Sequence, residues 1–128
     1  MSTRPRSITL IGWLFIAVGC FGILKDLLPL VTPGAAQAIS DLRAQGLTEL
    51  GPAWTSRLLA AIGGAALLHG LNWARWLLVA WMGIHVALSV LHSPWELLFH
   101  CVLFAPILYF FFRPKSTAYF RGTRAPPP

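Results

Sequence analysis

The sequence predicts an all-α integral membrane protein: an antiparallel bundle of four transmembrane helices, with a short outer amphipathic helix between the first and the second. Composition is the first indication. Hydrophobic residues make up 56% of the 128 residues and charged residues only 11%. A soluble domain this small has much surface for its volume, and ten basic with four acidic residues cannot cover that surface with charge. The length fits a single membrane domain.

The first predicted span covers residues 8–28. Residues 8–24 carry no charge. Together with the apolar residues that follow, they reach the roughly 20 residues needed to cross about 30 Å of hydrocarbon. A cleaved secretory signal ending at Ala36-Gln37-Ala38, or a lipoprotein signal ending at Cys20, would also follow a basic N-terminus. The apolar run continues past Cys20 and ends well before Ala36, which favours a retained first helix.

Residues 32–52 are polar enough to leave the membrane and are predicted to form an outer loop. Thr32-Pro33 is typical of a helix start and Gly46 of a helix stop. These signals predict a short helix over residues 34–45, with Ile39 and Leu42 on one face. We expect this helix to lie on the outer membrane surface.

The three remaining spans are predicted at residues 53–70, 73–92 and 95–112. A polar break at Gly70-Leu71-Asn72 turns the chain after the second span, and Ser93-Pro94 turns it after the third. The basic, proline-rich tail, residues 113–128, is expected to be cytoplasmic and to be disordered beyond Phe120.

Basic residues orient the predicted bundle. Seven of them lie on the side that holds both termini and the turn at Gly70, against three on the other side, which carries all four acids. Because cytoplasmic segments carry the excess of Lys and Arg, both termini are predicted to be cytoplasmic in a bacterial inner membrane. Since these residues flank apolar runs and form no patch, nucleic-acid binding is not predicted. The topology anchors are the basic residues Arg4, Arg6, Arg75, Arg113 and Lys115.

Small residues predict the contacts between helices. Small side chains let helix backbones approach closely where lipid provides no hydrophobic drive. They recur at helical spacing in the first two spans, as Gly12, Gly19, Gly22, Ser56, Ala60 and Gly64. Cys20 and Cys101 fall in apolar segments and are expected to pack as small buried hydrophobes.

Polar side chains in the outer halves of the third and fourth spans are the candidate functional residues. They follow at spacings of three or four, which places neighbours on one helical face. Ionisable groups inside a membrane are costly and often functional. We expect them to make interhelical hydrogen bonds and headgroup contacts; a proton or ion path is the alternative. The set is His85, Ser89, His92, Glu96 and His100.

No cofactor is predicted. A metal site of His92, Glu96 and His100 would need one helical register, which Pro94 interrupts. A haem held by His85 and His100 would need both at one depth, and helical rise separates them by several Å. Motifs such as G-x-S-x-G or Cys-x-x-Cys are absent from the sequence. We therefore expect no metal, no cofactor and no enzymatic activity.

Three short pieces of the sequence carry a resemblance. They are Arg4-Pro5-x-x-Ile8-Thr9 with Gly12-Trp13, Asn72-Trp73-Ala74-Arg75-Trp76, and Phe112-Arg113-Pro114 followed by Tyr119-Phe120. Together they resemble pieces of small polytopic, four-helix membrane proteins of bacteria. They cover the start, the hairpin turn and the tail, and leave the outer loop unmatched. The resemblance implies no activity.

These observations predict a non-enzymatic small inner-membrane protein that acts as an accessory or structural subunit of a larger membrane complex. Its partners would be the lipid bilayer and either other membrane subunits or further copies of itself. The alternative is a homo-oligomeric small transporter or channel with a polar path in its outer half. A third hypothesis is a redox subunit associated with haem or quinone.

Overall fold

The structure, a computed structural model, describes residues 4–122, and over these residues it contains helices and no strand. The all-α prediction is confirmed. After α1 comes a 3₁₀ turn, Leu28–Val31. The helices are α1 (Arg6–Leu27), α2 (Ala35–Leu68), α3 (Asn72–His92), α4 (Pro94–Phe112) and α5 (Pro114–Gly122).

Three helical segments within the described residues are long and apolar enough to cross a membrane. They are α1 with its 3₁₀ turn (Arg6–Val31), α3 and α4. The predicted span at 53–70 lies in the second half of α2 and is not among them. Its mean hydropathy is lowered by Thr55, Ser56 and Arg57, and by the glycines that follow.

A break at Gly46 divides α2 into two helical segments. Gly46 has φ 69° and ψ 169°, in a region of positive φ that favours glycine. The first segment matches the short helix predicted between the first two spans, and the break falls at the predicted helix stop. The second segment starts directly after the break, so residues 47–52 are helical and not a loop.

Glycines bring α1 and α2 into backbone contact along a line that we call the glycine seam (Gly12, Gly19 and Gly64). A Cβ atom on Gly19 would lie 2.5 Å from the carbonyl oxygen of Arg57. A Cβ atom on Gly64 would lie 2.6 Å from the carbonyl oxygen of Gly12. Both distances are too short for a side chain, so close packing of these two helices requires glycine at both positions.

The core lies at one end of the helices, which we call the hairpin end. It comprises the turn 69–71, the start of α1, the end of α4, and α5. Gly70 has φ 72° and lets the chain reverse between α2 and α3. The largest fully buried side chains all lie at or near this end: Ile8, Leu67, Leu78, Phe111, Ser116 and Phe120.

The tail is more ordered than the sequence indicated. α5 continues through Gly122, so the expectation of disorder beyond Phe120 is wrong for Arg121 and Gly122; the rest of the tail lies outside the described residues. Tyr119 and Phe120 are buried, and the Ser116 hydroxyl donates to the Phe110 carbonyl oxygen over 2.6 Å. Burial of two aromatic rings stabilises the helix against the entropy of a free tail.

Candidate functional site

Polar side chains from three helices meet in the half of the molecule away from the hairpin end. We call this group the histidine cluster: Ser56, Trp81, His85, Ser89 and His100. Trp81, His85 and Ser89 are spaced four apart on α3, so they occupy one face of that helix. Ser56 reaches this face from α2 and His100 from α4.

Hydrogen bonds define the tautomer of the neutral His85 ring. Its Nδ1 lies 2.9 Å from the Trp81 carbonyl oxygen. Because a carbonyl oxygen only accepts, Nδ1 carries the proton, and Nε2 of the neutral ring is an acceptor. The indole Nε1 of Trp81 donates to Ser56 Oγ over 3.0 Å, and the Ser56 hydroxyl donates to His85 Nε2 over 3.4 Å.

The same reasoning applies to His100. Its Nδ1 lies 2.8 Å from the Glu96 carbonyl oxygen and 2.7 Å from Ser89 Oγ. The Ser89 hydroxyl donates to the His85 carbonyl oxygen over 2.7 Å, so Nδ1–H of His100 is the donor to both oxygens. Nε2 of His100 has no hydrogen bond to residues 4–122 and keeps its lone pair in the neutral ring.

A cavity of about 390 Å³ lies beside the cluster, between α1, α3 and α4. Aromatic rings run along it, with centroids 5.8 Å apart for Phe15 and Trp81 and 4.3 Å apart for Trp81 and His85. Apart from the two histidines and the indole, the lining is apolar. It consists of Leu14, Phe15, Val18, Trp81, Met82, His85, Phe99, His100, Leu103 and Ile107.

The structure brings three of the five predicted site residues together and leaves two outside. His85, Ser89 and His100 belong to the cluster. His92 is exposed, and its Nδ1 donates to the Leu88 carbonyl oxygen of its own helix over 2.9 Å. Glu96 is exposed in the first turn of α4. His92 is the last residue of α3, and the break at Ser93 and Pro94 keeps Glu96 from continuing the face that His85 and Ser89 share.

The distances also bear on the two cofactor alternatives. In residues 4–122, no three His, Cys, Asp or Glu side chains are placed to hold a metal ion. The rings of His85 and His100 lie 6.0 Å apart, closer than helical rise indicated. However, Nε2 of His85 is directed at Ser56 on α2, and an iron ion shared with His100 would have to replace that hydrogen bond.

One contact in this half was not predicted. Asp26 of α1 forms an ion pair with Arg57 of α2, with side chains only 16% and 24% exposed. Gly22 makes room for it, since a Cβ there would lie 3.0 Å from Arg57 Nε. Arg57 is one of the three basic residues, and Asp26 one of the four acids, that the sequence places on the outer side. Their equal depth on two helices with small-residue faces was the signal that could have predicted the pair.

The small residues of α2, Ser56, Ala60 and Gly64, contact two neighbouring helices. Gly64 faces α1, whereas Ser56 bonds to α3 and Ala60 is buried between them. Residues spaced by four drift around a helix, so Ser56 and Gly64 differ by about 80°. Ser56 therefore belongs to the polar cluster as well as to packing.

Arg75, a predicted topology anchor, is buried, at 8% exposure, in what we call the arginine cage. Its guanidinium carbon lies 5.2 Å from the Phe112 ring centroid, 5.3 Å from that of Phe120 and 5.8 Å from that of Trp76. It thus joins α3, α4 and α5 by cation–π contacts.

The other predicted anchors lie at the same end. Arg4 Nη1 donates to the Leu68 carbonyl oxygen over 2.9 Å, and Arg113 Nη2 donates to Ser7 Oγ over 2.7 Å. Arg6 and Lys115 are exposed. The start of α1 and the end of α4 are thereby tied to the hairpin end.

Both cysteines are exposed and free, so the expectation that they are buried is wrong. Cys20 follows Gly19 of the glycine seam and points away from α2. Cys101 follows His100 and lies outside the face that meets α3. Each occupies the outward side of its helix because its neighbour in sequence occupies the inward side.

No known protein family, no curated protein and no solved structure matches this chain. The fold itself, with three apolar helices of membrane-spanning length, defines a helical membrane protein.

Proposed function

We propose that this chain is a non-enzymatic accessory or structural subunit of a larger complex in the bacterial inner membrane. The observation that carries the proposal is the sparse covering of α4. Only 11% of the 18-residue apolar stretch of α4 is buried, against 28% of the corresponding stretch of α1 and 28% of that of α3. α4 packs mainly against α3, and its outer face carries Trp95, Phe99, Val102 and Tyr109. Another membrane helix seated there would complete its packing.

The proposal includes four antiparallel spans. Gly12 meets Gly64 while Gly19 meets Arg57 and Ala61, an order that fits opposite directions for α1 and α2. The second half of α2 is the fourth span. Its least favourable residue in lipid, Arg57, is paired with Asp26, which lowers the cost of placing that helix in the membrane.

Both termini are proposed to be cytoplasmic. Arg4 and Arg113 each contact the hairpin end, so the start of α1 and the end of α4 lie beside the turn at Gly70. Among the described residues, this end holds six of the nine basic residues. The positive-inside rule then assigns it to the cytoplasm.

The hydrogen bonds of the histidine cluster favour a structural role over an ion path. Trp81, Ser56 and His85 bond to one another, and Nδ1 of His100 bonds to Ser89, so these polar side chains join α2, α3 and α4. A path would need them to face a continuous line of water. Flux in proteoliposomes that disappears in His85→Ala would favour the transporter instead.

The test is extraction in a mild detergent followed by native mass analysis of the intact assembly. We expect a foreign membrane subunit at fixed stoichiometry. Val102→Trp on α4 should release it, whereas Val90→Trp on α3 should not. The two valines are matched, at 62% and 64% exposure. Recovery of a monomer, or of copies of this chain alone, would overturn the accessory role.

A further inference from the structure

We infer that the cavity between α1, α3 and α4 binds an apolar molecule that carries a hydroxyl group, of the class of long-chain phenols and quinols. This goes beyond the subunit role and does not depend on it. The cavity volume of about 390 Å³ lies within the roughly 300–1,000 Å³ that small-molecule sites enclose. Such sites are mostly apolar, with a few polar groups that fix orientation.

The open side of the cavity lies between α1 and α4. Its rim includes Leu14 and Val18 of α1, which are about half exposed, and Phe99 of α4, which is 62% exposed. In a bilayer this rim is in contact with lipid, so a ligand dissolved in the membrane can enter without crossing water. The ligand must therefore be apolar over most of its surface.

Hydrogen bonding selects the polar group of the ligand. Nδ1–H of His100 is bound to Glu96 and Ser89 oxygens, and Nε2 is left as an acceptor. Nε2 of His85 is already engaged by Ser56. An acceptor in apolar surroundings favours a ligand that brings a donor. A hydroxyl meets this need, whereas the carbonyl of a quinone or the oxygen of an ether does not.

Aromatic walls favour a ring beside that hydroxyl. Phe99 packs edge-on to His100, with centroids 5.9 Å apart, and Phe15 packs edge-on to Trp81. A flat ring between such side chains gains stacking contacts that a saturated chain lacks. The competing occupant is a lipid acyl chain, which has neither a ring nor a donor.

The experiment compares para-nonylphenol with para-nonylanisole, which replaces the hydroxyl by a methyl ether. Binding is measured by calorimetry on full-length protein in phosphatidylcholine nanodiscs, with empty nanodiscs subtracted. We expect the phenol to bind about fivefold more tightly than the anisole, the effect of one hydrogen bond. Equal binding of the two probes would overturn the inference and identify an acyl-chain pocket.

Two histidine variants locate the acceptor. His100→Phe keeps a ring but removes Nε2, and should abolish the preference for the phenol. His92→Phe, on an exposed histidine outside the cavity, should keep it. A preference retained in folded His100→Phe would overturn the assignment to His100.

A third variant leaves all the hydrogen bonds intact. Val18→Trp fills the cavity from its rim and should weaken binding of both probes at least about tenfold. If His100→Phe does not fold, the test of the cavity rests on Val18→Trp and on the preference of the wild-type protein for the phenol. Unchanged binding in Val18→Trp would place the probes elsewhere and overturn the inference.

Discussion

The hairpin end and the half that holds the histidine cluster are packed in different ways. At the hairpin end, α5 folds over the ends of α3 and α4 and buries Phe111 and Phe120 completely. In the other half, the first segment of α2 leaves all the side chains of residues 35–45 at least partly exposed, and cavities of about 390 and 650 Å³ flank the cluster. His85 lines both of them.

The hairpin end therefore provides most of the stability, whereas the other half provides the space for a ligand. Fully buried apolar side chains hold the hairpin end together. In the other half, side-chain hydrogen bonds join α2, α3 and α4, and room is left where α1, α3 and α4 meet. A binding site requires such room, and the tight end compensates for the packing that the open half lacks.

The sharpest way to break this comparison is to truncate one phenylalanine in each half of α4. Phe111→Ala should lower the free energy of unfolding by about 3 kcal/mol, because it leaves a hole in a closed core. Phe99→Ala, at an exposed position beside the cavity, should lower it by less than about 1 kcal/mol. Unfolding by sodium dodecyl sulfate in mixed micelles measures both. Equal losses would show that the halves are equally packed.

The glycine seam reaches from the hairpin end into the open half, and a second pair of variants tests whether it is tight there. Gly19→Ala should cost about 2 kcal/mol, since its Cβ would meet the backbone of Arg57. Gly83→Ala on α3 is the control, because its Cβ would meet nothing within 4 Å. It should be neutral or slightly stabilising, as alanine favours the helix. A harmless Gly19→Ala would mean that α1 and α2 can separate in this half.

The smallest effect is expected at the arginine cage. Arg75→Lys keeps the positive charge but loses the planar guanidinium, and should cost about 1 kcal/mol. Thermal unfolding in detergent measures the loss, and cysteine labelling from either side of vesicles should show an unchanged orientation. Arg6→Lys, at an exposed residue, is the control. If both variants unfold like the wild type, Arg75 is only a topology anchor.

Much of the helical pattern could be predicted because its signals are local. Three of the four predicted spans coincide with apolar helices, and the turn at Gly70 and the break at Gly46 fall where glycine was expected to end a helix. The predicted span at 53–70 is not among them because Arg57 lowers its hydropathy, and the sequence does not show that Asp26 pairs with this charge. The tail differs because α5 is stabilised by contacts with distant residues.

The candidate site was predictable only in part. Spacing by four placed His85 and Ser89 on one face, as the structure has them. It could not indicate that Ser56 and His100 complete the cluster, or that His92 and Glu96 stay outside. Those outcomes depend on how α2 and α4 are rotated against α3, and the spacing within one helix carries no information on that rotation.

By itself, then, the sequence determined that this is a helical membrane protein and where most of its helices begin and end. Hydropathy and chain-breaking residues act within a few residues, so they can be interpreted without a fold. Only the tertiary structure decided that Asp26 pairs with Arg57, that aromatic rings enclose Arg75, and that a cavity lies beside His100. Each of these depends on the approach and rotation of separate helices, which the close contact at Gly19 and Gly64 sets for α1 and α2.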